Sequence, residues 1–221
     1  MKLLALETAT EACSAAIWVE GAVLERYELA PRRHAALILP MVEAVLAEAG
    51  LAMSQLDAIA VGCGPGAFTG VRIAIGIAQG LAFAVDAPVA PISTLATLAL
   101  GAARETGQTR IATALDARMG EVYWATWRVS DEKVELLGKE RVCAPALVTA
   151  PHDAWFGVGS GWGVYAEALS QRLTVSGWLS ERYPRASDVA RLAADPARRG
   201  TWVAAEQALP VYLRDRVVGK Q

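Results

Sequence analysis

With 221 residues, of which 54 % are hydrophobic and 20 % charged, the chain holds ample material for a packed core, and this excludes a disordered protein. A net charge of −2 supplies no global pull toward nucleic acid or an anionic membrane surface, so any direct RNA contact would need a local basic patch.

In chain order, Lys2–Glu7 and Cys13–Val19 read as apolar strands joined by the turn-prone Thr8–Ala12. Ala22–Leu29 follows the hairpin signal Glu20-Gly21 as a third strand. A helix is predicted over His34–Ala49, stopped by Gly50; Pro40 inside it predicts a kink, or a first turn that belongs to the loop before it. Asp57–Gly62 is a short strand, and a glycine-rich loop leads into a helix over Gly70–Val85. After a helix near Ser93–Glu105 the order recurs: strands at Arg110–Asp116, Glu121–Val129 and Lys133–Leu137, a short helix at Pro145–Ala150, a strand at Trp155–Val158 and a helix at Val164–Leu173. A helix from about Ser187 and the segment Pro210–Arg214 close the chain.

Both halves thus spell βββαβα, and in each the first strand ends in a carboxylate, Glu7 or Asp116. The expected fold is α/β, two ribonuclease H-like lobes of the actin-like ATPase (ASKHA) type. The N-terminal lobe spans 1–105, and a smaller C-terminal lobe with a closing helical tail spans 106–221. The opening Met1–Ala12, charged at Lys2 and Glu7, has too short an apolar run for a signal peptide. Ile73–Val85, interrupted by Gln79, Gly76 and Gly80, reads as too short to span a bilayer. Cys13, Cys63 and Cys143 are isolated and odd in number, which fits a reducing compartment. A cytoplasmic protein with no membrane partner is expected.

The strongest local signal is Gly62-Cys63-Gly64-Pro65-Gly66-Ala67-Phe68-Thr69-Gly70-Val71-Arg72. Glycines between a strand and a helix allow close approach by a ligand or by the chain itself, Thr69 is placed to cap the helix, and the free N–H groups at its start suit an anion. No P-loop lysine is present, and Pro65 interrupts any dinucleotide fingerprint, so composition alone favours a packing turn over a ligand loop.

Gly64-Pro65-Gly66-Ala67-Phe68-Thr69-Gly70-Val71-Arg72-Ile73 resembles the GPGSFTGLRIG signature of TsaB (YeaZ-type) proteins. Leu4–Thr10, Arg33-His34, Asp116-Ala117-Arg118 with Glu121-Val122-Tyr123, and Pro210-Val211-Tyr212-Leu213-Arg214 continue the resemblance in order along nearly the whole chain. One departure is Glu7, where that family usually has Asp. The resemblance implies a non-catalytic subunit of the machinery that makes threonylcarbamoyladenosine at position 37 of tRNAs reading codons that start with A. It implies a TsaD-type catalytic sister, a TsaE-type ATPase partner, tRNA reached through the complex, and a homodimer when the chain is alone. No cofactor is required by the chain itself; ATP or ADP is expected, if anywhere, at the complex interface. TsaD-type proteins hold a metal through an HxxxH pair; Thr94 and Leu98 stand at the matching positions here, and the histidines are His34 and His152. No catalytic and no metal residue is expected.

A remnant nucleotide crevice is assigned to Glu7, Gly64, Gly66 and Asp116, against the alternative of a solvated turn in which Arg118 pairs with a carboxylate. Gly157, Gly159, Gly161 and Gly163 lie where such folds contact adenosine; core packing of Trp155, Trp162 and Tyr165 is the competing reading. On the His34–Ala49 helix, Ile38, Val42, Val45 and Ala49 form one apolar stripe, and Leu37, Met41 and Ala44 a second. The second stripe, with Gly76 and Gly80 of the following helix, is expected to be a partner interface. The competing functions are a small ATPase or kinase on this fold, and a metallopeptidase, which lacks its usual histidine and glutamate patterns.

Overall fold

The computed structural model describes residues 1–151, 153–195 and 200–214; His152 lies outside them. The first half builds β1 (Lys2–Glu7), β2 (Ala12–Val19), β3 (Ala22–Leu29), α1 (His34–Ala49), β4 (Ala58–Gly62), α2 (Phe68–Val85), β5 (Val89–Ile92) and α3 (Thr94–Thr106). The second builds β6 (Arg110–Arg118), β7 (Glu121–Ser130), β8 (Lys133–Leu136), β9 (Arg141–Cys143), β10 (Ala154–Val158), α4 (Ser160–Ser170), β11 (Thr174–Leu179) and α5 (Ala186–Ala194).

One sheet runs β3-β2-β1-β4-β5 and the other β11-β10-β6-β7-β8, with β9 added beside β7. Each has an antiparallel meander, β1–β2–β3 or β6–β7–β8, and two parallel strands beyond its first strand. The two sheets therefore share one strand order, and the fold is the duplicated actin-like one.

Alternation along β1 divides the first lobe's core. Leu4 and Leu6 join α1 and α2 on one face through Ile38, Val42, Val45, Val71, Ala74 and Ala78. Leu3 and Ala5 join α3 and α5 on the other, in a core that also takes in Ile111, Leu115 and Trp127 of the second sheet. The last helix of each half crosses over: α3 packs on β6, β7 and β8, while α5 packs on β1, β2 and β4. The expected 105/106 boundary separates the two sheets, but the tail expected with the second lobe returns to the first. There Val203 pairs with Val89 on the edge of β5 by two 2.8 Å backbone hydrogen bonds. Beyond the second sheet a third core gathers Trp124, Trp155 and Trp162 with α4.

The α1 helix runs unbroken through Pro40 and ends at Gly50 in a left-handed cap, φ +63°. Pro145–Leu147 forms a single 3-10 turn in place of the short helix expected at 145–150. The α4 helix begins four residues earlier than its apolar pattern indicates, with Gly161 packed on Ala114. The α2 helix, 18 residues at a mean hydropathy of 1.6, is long and apolar enough to cross a membrane by length and composition, with a third of it buried in the fold. It starts five residues ahead of the Ile73–Val85 run, so the expected shortfall in length does not hold.

Candidate functional site

Between the lobes opens a cleft of about 780 Å³. The first lobe lines it with the β1–β2 turn (Ala9, Thr10, Glu11), the glycine loop (Gly66, Ala67) and the start of α2 (Phe68, Arg72). The second contributes Asp116 and Arg118 of the β6–β7 hairpin, Tyr123, Ser160 and Val164, and Val211–Arg214 of the tail cross the wall.

The glycine loop is compact because the chain fills it. The Ala67 N–H donates to the Ala9 carbonyl at 2.7 Å, and the Thr8 hydroxyl donates to the Gly70 carbonyl at 2.7 Å. A Cβ on Gly66 or Gly70 would run into the backbone of Ala9 or Thr8. Gly64, at φ +101°, lies with the Val211 carbonyl 2.8 Å from where its Cβ would stand. The cap of α2 is Ala67, without a side-chain bond, so Thr69 does not take the capping place expected of it.

Glu7 is fully buried, wholly inside the first lobe. Its Oε1 accepts the Ala9 N–H at 2.6 Å, and its Oε2 occupies the notch left by the missing side chain of Gly62, without a hydrogen-bond partner among the described residues. Desolvation pushes its carboxyl up to about 7. The buried thiols of Cys13 and Cys63 rise to about 11 and about 12, mainly through burial. Of the four crevice residues, Gly66 and Asp116 line the cleft; Glu7 and Gly64 do not. Both oxygens of Asp116 accept from Arg118, one from its backbone N–H and one from its guanidinium, each at 2.9 Å. The residues do not fit a phosphate-and-metal cradle. One carboxylate faces inward, the other is taken by an arginine, and the loop amide at Ala67 is spent on Ala9.

At the position of the histidine pair, Thr94 exchanges bonds with Gly64: its N–H donates to the Gly64 carbonyl at 2.9 Å, and its hydroxyl accepts the Gly64 N–H at 3.2 Å. Leu98 is core. Among the described residues no three of His, Cys, Asp and Glu converge as a metal site would require. In the second lobe the Trp162 ring fills the space over Gly157 and its indole N–H donates to the Ala112 carbonyl at 2.9 Å, so that indole serves the core rather than stacking on a base.

Of the expected interface residues, Leu37, Met41 and Ala44 are half-buried beside the first lobe's core, while Ile38, Val42 and Val45 beneath them are fully covered. Gly76 and Gly80 are exposed, and a Cβ on either would meet nothing within 4 Å. Phe83, on the same side of α2, is 82 % exposed. The composition of α2 hinted at an outward apolar face through Gly76 and Gly80, but Phe83 itself was missed. The wall residues Phe68, Tyr212 and Arg214 were visible only as parts of motifs.

The profile of the TsaD family, tRNA N6-adenosine threonylcarbamoyltransferase, matches residues 26–190. The chain is 41 % identical to the tRNA threonylcarbamoyladenosine biosynthesis protein TsaB of Escherichia coli K12, over 100 % of this chain and 98 % of that one. It is 40 % identical to the protein of the same name from Haemophilus influenzae, over 100 % and 97 %. Among solved structures, YeaZ from Pseudomonas aeruginosa superposes with a TM-score of 0.91 at 52 % identity, covering 96 % of this chain and 99 % of that one.

Proposed function

The chain belongs to the TsaB (YeaZ-type) family of tRNA threonylcarbamoyladenosine biosynthesis proteins, and from that premise we propose that it is a non-catalytic scaffold that docks a TsaD-type catalytic sister on the outer face of α1 and α2. The single observation that carries this reading is the α2 surface. Exposed Gly76 and Gly80 leave room for another helix to come close, and the highly exposed Phe83 and the half-buried Leu37, Met41, Ile73 and Ile77 surround them with apolar area. An 18-residue helix this apolar and only one-third buried is left with a face to cover, and a protein partner covers it without a membrane. A related sister offers a similar helix, and in its absence a second copy takes the place, giving a homodimer. The filled glycine loop and the occupied Asp116 support a chain that needs no nucleotide of its own, with ATP or ADP placed at the complex interface and a TsaE-type ATPase acting on the pair. The arginines Arg26, Arg33, Arg104, Arg110, Arg128, Arg182, Arg185 and Arg214 each pair with a carboxylate. That supports tRNA being reached through the complex rather than on a basic patch here, and the whole acting in the cytoplasm.

Leu37→Asp and Met41→Asp place a charge in the contact. Light scattering should show the dimer lost, and a pull-down should show the sister lost, with circular dichroism unchanged. Variants that fold, dimerise and still bind the sister would overturn the assignment.

A further inference from the structure

The segment Pro210–Arg214 has no regular secondary structure, yet it is held at three points. The Val211 N–H donates to the Cys63 carbonyl at 2.8 Å. Tyr212 stacks on Phe68 with ring centroids 5.8 Å apart, and its phenol oxygen accepts from Arg72 Nε at 2.8 Å. Arg72 also lies over the Phe68 ring, its guanidinium carbon 3.5 Å from the centroid. The Arg214 guanidinium pairs with Glu121 and reaches the Arg118 carbonyl at 3.5 Å. The first two anchors belong to the first lobe and the third to the second, so the segment spans the mouth of the cleft, and Val211–Arg214 form part of its wall. Arg72 and Phe68 lie on the same side of α2 as Gly76, Gly80 and Phe83, one turn and two turns before Gly76, so the ladder that holds Tyr212 is the upper end of the docking face.

We propose that the Pro210–Arg214 strap is a clasp between the lobes that sets the opening of the cleft, and that docking of the catalytic sister along α2 tightens it through Phe68 and Arg72. The coupling rests on the docking face assigned above; the clasp does not. Phe68 is 51 % exposed and Tyr212 47 % exposed, so water now weakens the contact between guanidinium and ring. A partner laid along α2 takes that water away. A cation over an aromatic face is held more strongly once desolvated, by roughly 1 kcal/mol, or about fivefold in the open population of the strap. The sister would thereby stiffen the cleft wall from its α2 edge, at Phe68 and Arg72.

Hydrogen exchange at the Val211 amide reads the clasp directly, because its bond to Cys63 breaks when the strap lifts. In the free full-length chain, Arg72→Ala and Tyr212→Ala should each speed that exchange about tenfold while the amides of β4 keep their protection. Tyr212→Phe, which keeps the stack and loses the bond from Arg72, should fall between. Unchanged exchange in both alanine variants overturns the clasp. With the wild-type chain diluted until light scattering shows a monomer, adding the sister should slow the same amide about fivefold. If the sister protects α1 and α2 but leaves Val211 unchanged or faster, the coupling is wrong and the docking face stands. If its protection footprint lies away from α2, the docking face and the coupling both fall, while the alanine variants still decide the clasp.

Discussion

The two lobes repeat one strand order and differ in what covers the outer face of each sheet. Between the third and fourth strands of the first sheet stands α1, a helix of 16 residues; in the second lobe that place is taken by the three residues of β9 and one 3-10 turn. After the fourth strand the first lobe has α2, with 18 residues and open glycines, and the second has α4, with 11. The second lobe makes up the missing helix with indoles. Trp124, Trp155 and Trp162 are all but wholly buried, and each N–H is satisfied, by the carbonyls of Thr149, Pro151 and Ala112. One copy of the architecture closed its outer face with large side chains, and the other kept a two-helix face that a partner can use. Duplication preserved the backbone order, and the surface is where the copies parted.

The sharpest way to break this comparison is a pair of aromatic deletions. Trp162→Ala removes a fully buried indole, opens a cavity over Gly157 and takes away the hydrogen bond from that indole to the Ala112 carbonyl. It should cost about 3–5 kcal/mol in urea unfolding. Phe83→Ala, in the first lobe, should change monomer stability by less than about 0.5 kcal/mol, because its ring is already in water, while weakening assembly. Equal costs at the two positions would mean that Phe83 is covered within the monomer and that the lobes are closed in the same way.

The strand-end carboxylates sharpen the comparison further. Asp116 is paired with Arg118 at the cleft, whereas Glu7 is sealed in and raised to about 7 by desolvation. An acid whose folded pKa lies above its unfolded value of 4.5 is no burden while protonated in both states. Its contribution is therefore intact below pH 4.5 and is lost as pH rises through 7. The wild-type chain should lose about 3 kcal/mol of stability between pH 4.5 and pH 9 from this group. Glu7→Gln, nearly the same shape and unable to ionise, should remove that part of the slope. Denaturant midpoints at the two pH values decide it; parallel profiles for the two proteins would mean that Glu7 is charged and solvated, and so faces the cleft after all.

Much of the first lobe was legible in the sequence, since β1–β4, α1 and α2 announce themselves by periodicity, by Gly50 and by the glycine loop. The β5 strand escaped because Pro91 sits inside its four residues, and an edge strand tolerates what a central one does not. The β11 strand escaped because Gly177 interrupts it and its pairing partner, β10, lies across a helix. The start of α4 was hidden by Gly161 and Gly163, which read as loop until Gly161 is seen pressed on Ala114. The site was legible only by composition. That a carboxylate ends β1 is written in the sequence; that its side chain turns into the notch above Gly62 depends on a contact with a strand 55 residues away. The clasp, too, joins Arg72 to Tyr212 across 140 residues, a distance over which no local pattern reports.

The smallest effect comes from the open glycines, and it separates a docking surface from a merely solvated one. In the interior of a helix, alanine is favoured over glycine by about 0.5–1 kcal/mol, because glycine loses more backbone freedom on folding. At Gly76 and Gly80 a new methyl group meets nothing within 4 Å, so Gly76→Ala and Gly80→Ala should each stabilise the monomer by about that amount. A chain selected only for its own stability would have little reason to keep two glycines there. The same methyl groups would stand between α2 and a helix lying close against it, so the variants should bind the sister, and their own copy, more weakly while melting higher. Calorimetry on the monomer and titration with the sister give the two numbers separately. Opposite signs support close helix approach at these positions; variants that are both more stable and bind as well as the wild type would show that the partner rests on Phe83 and Met41 and leaves the two glycines in water.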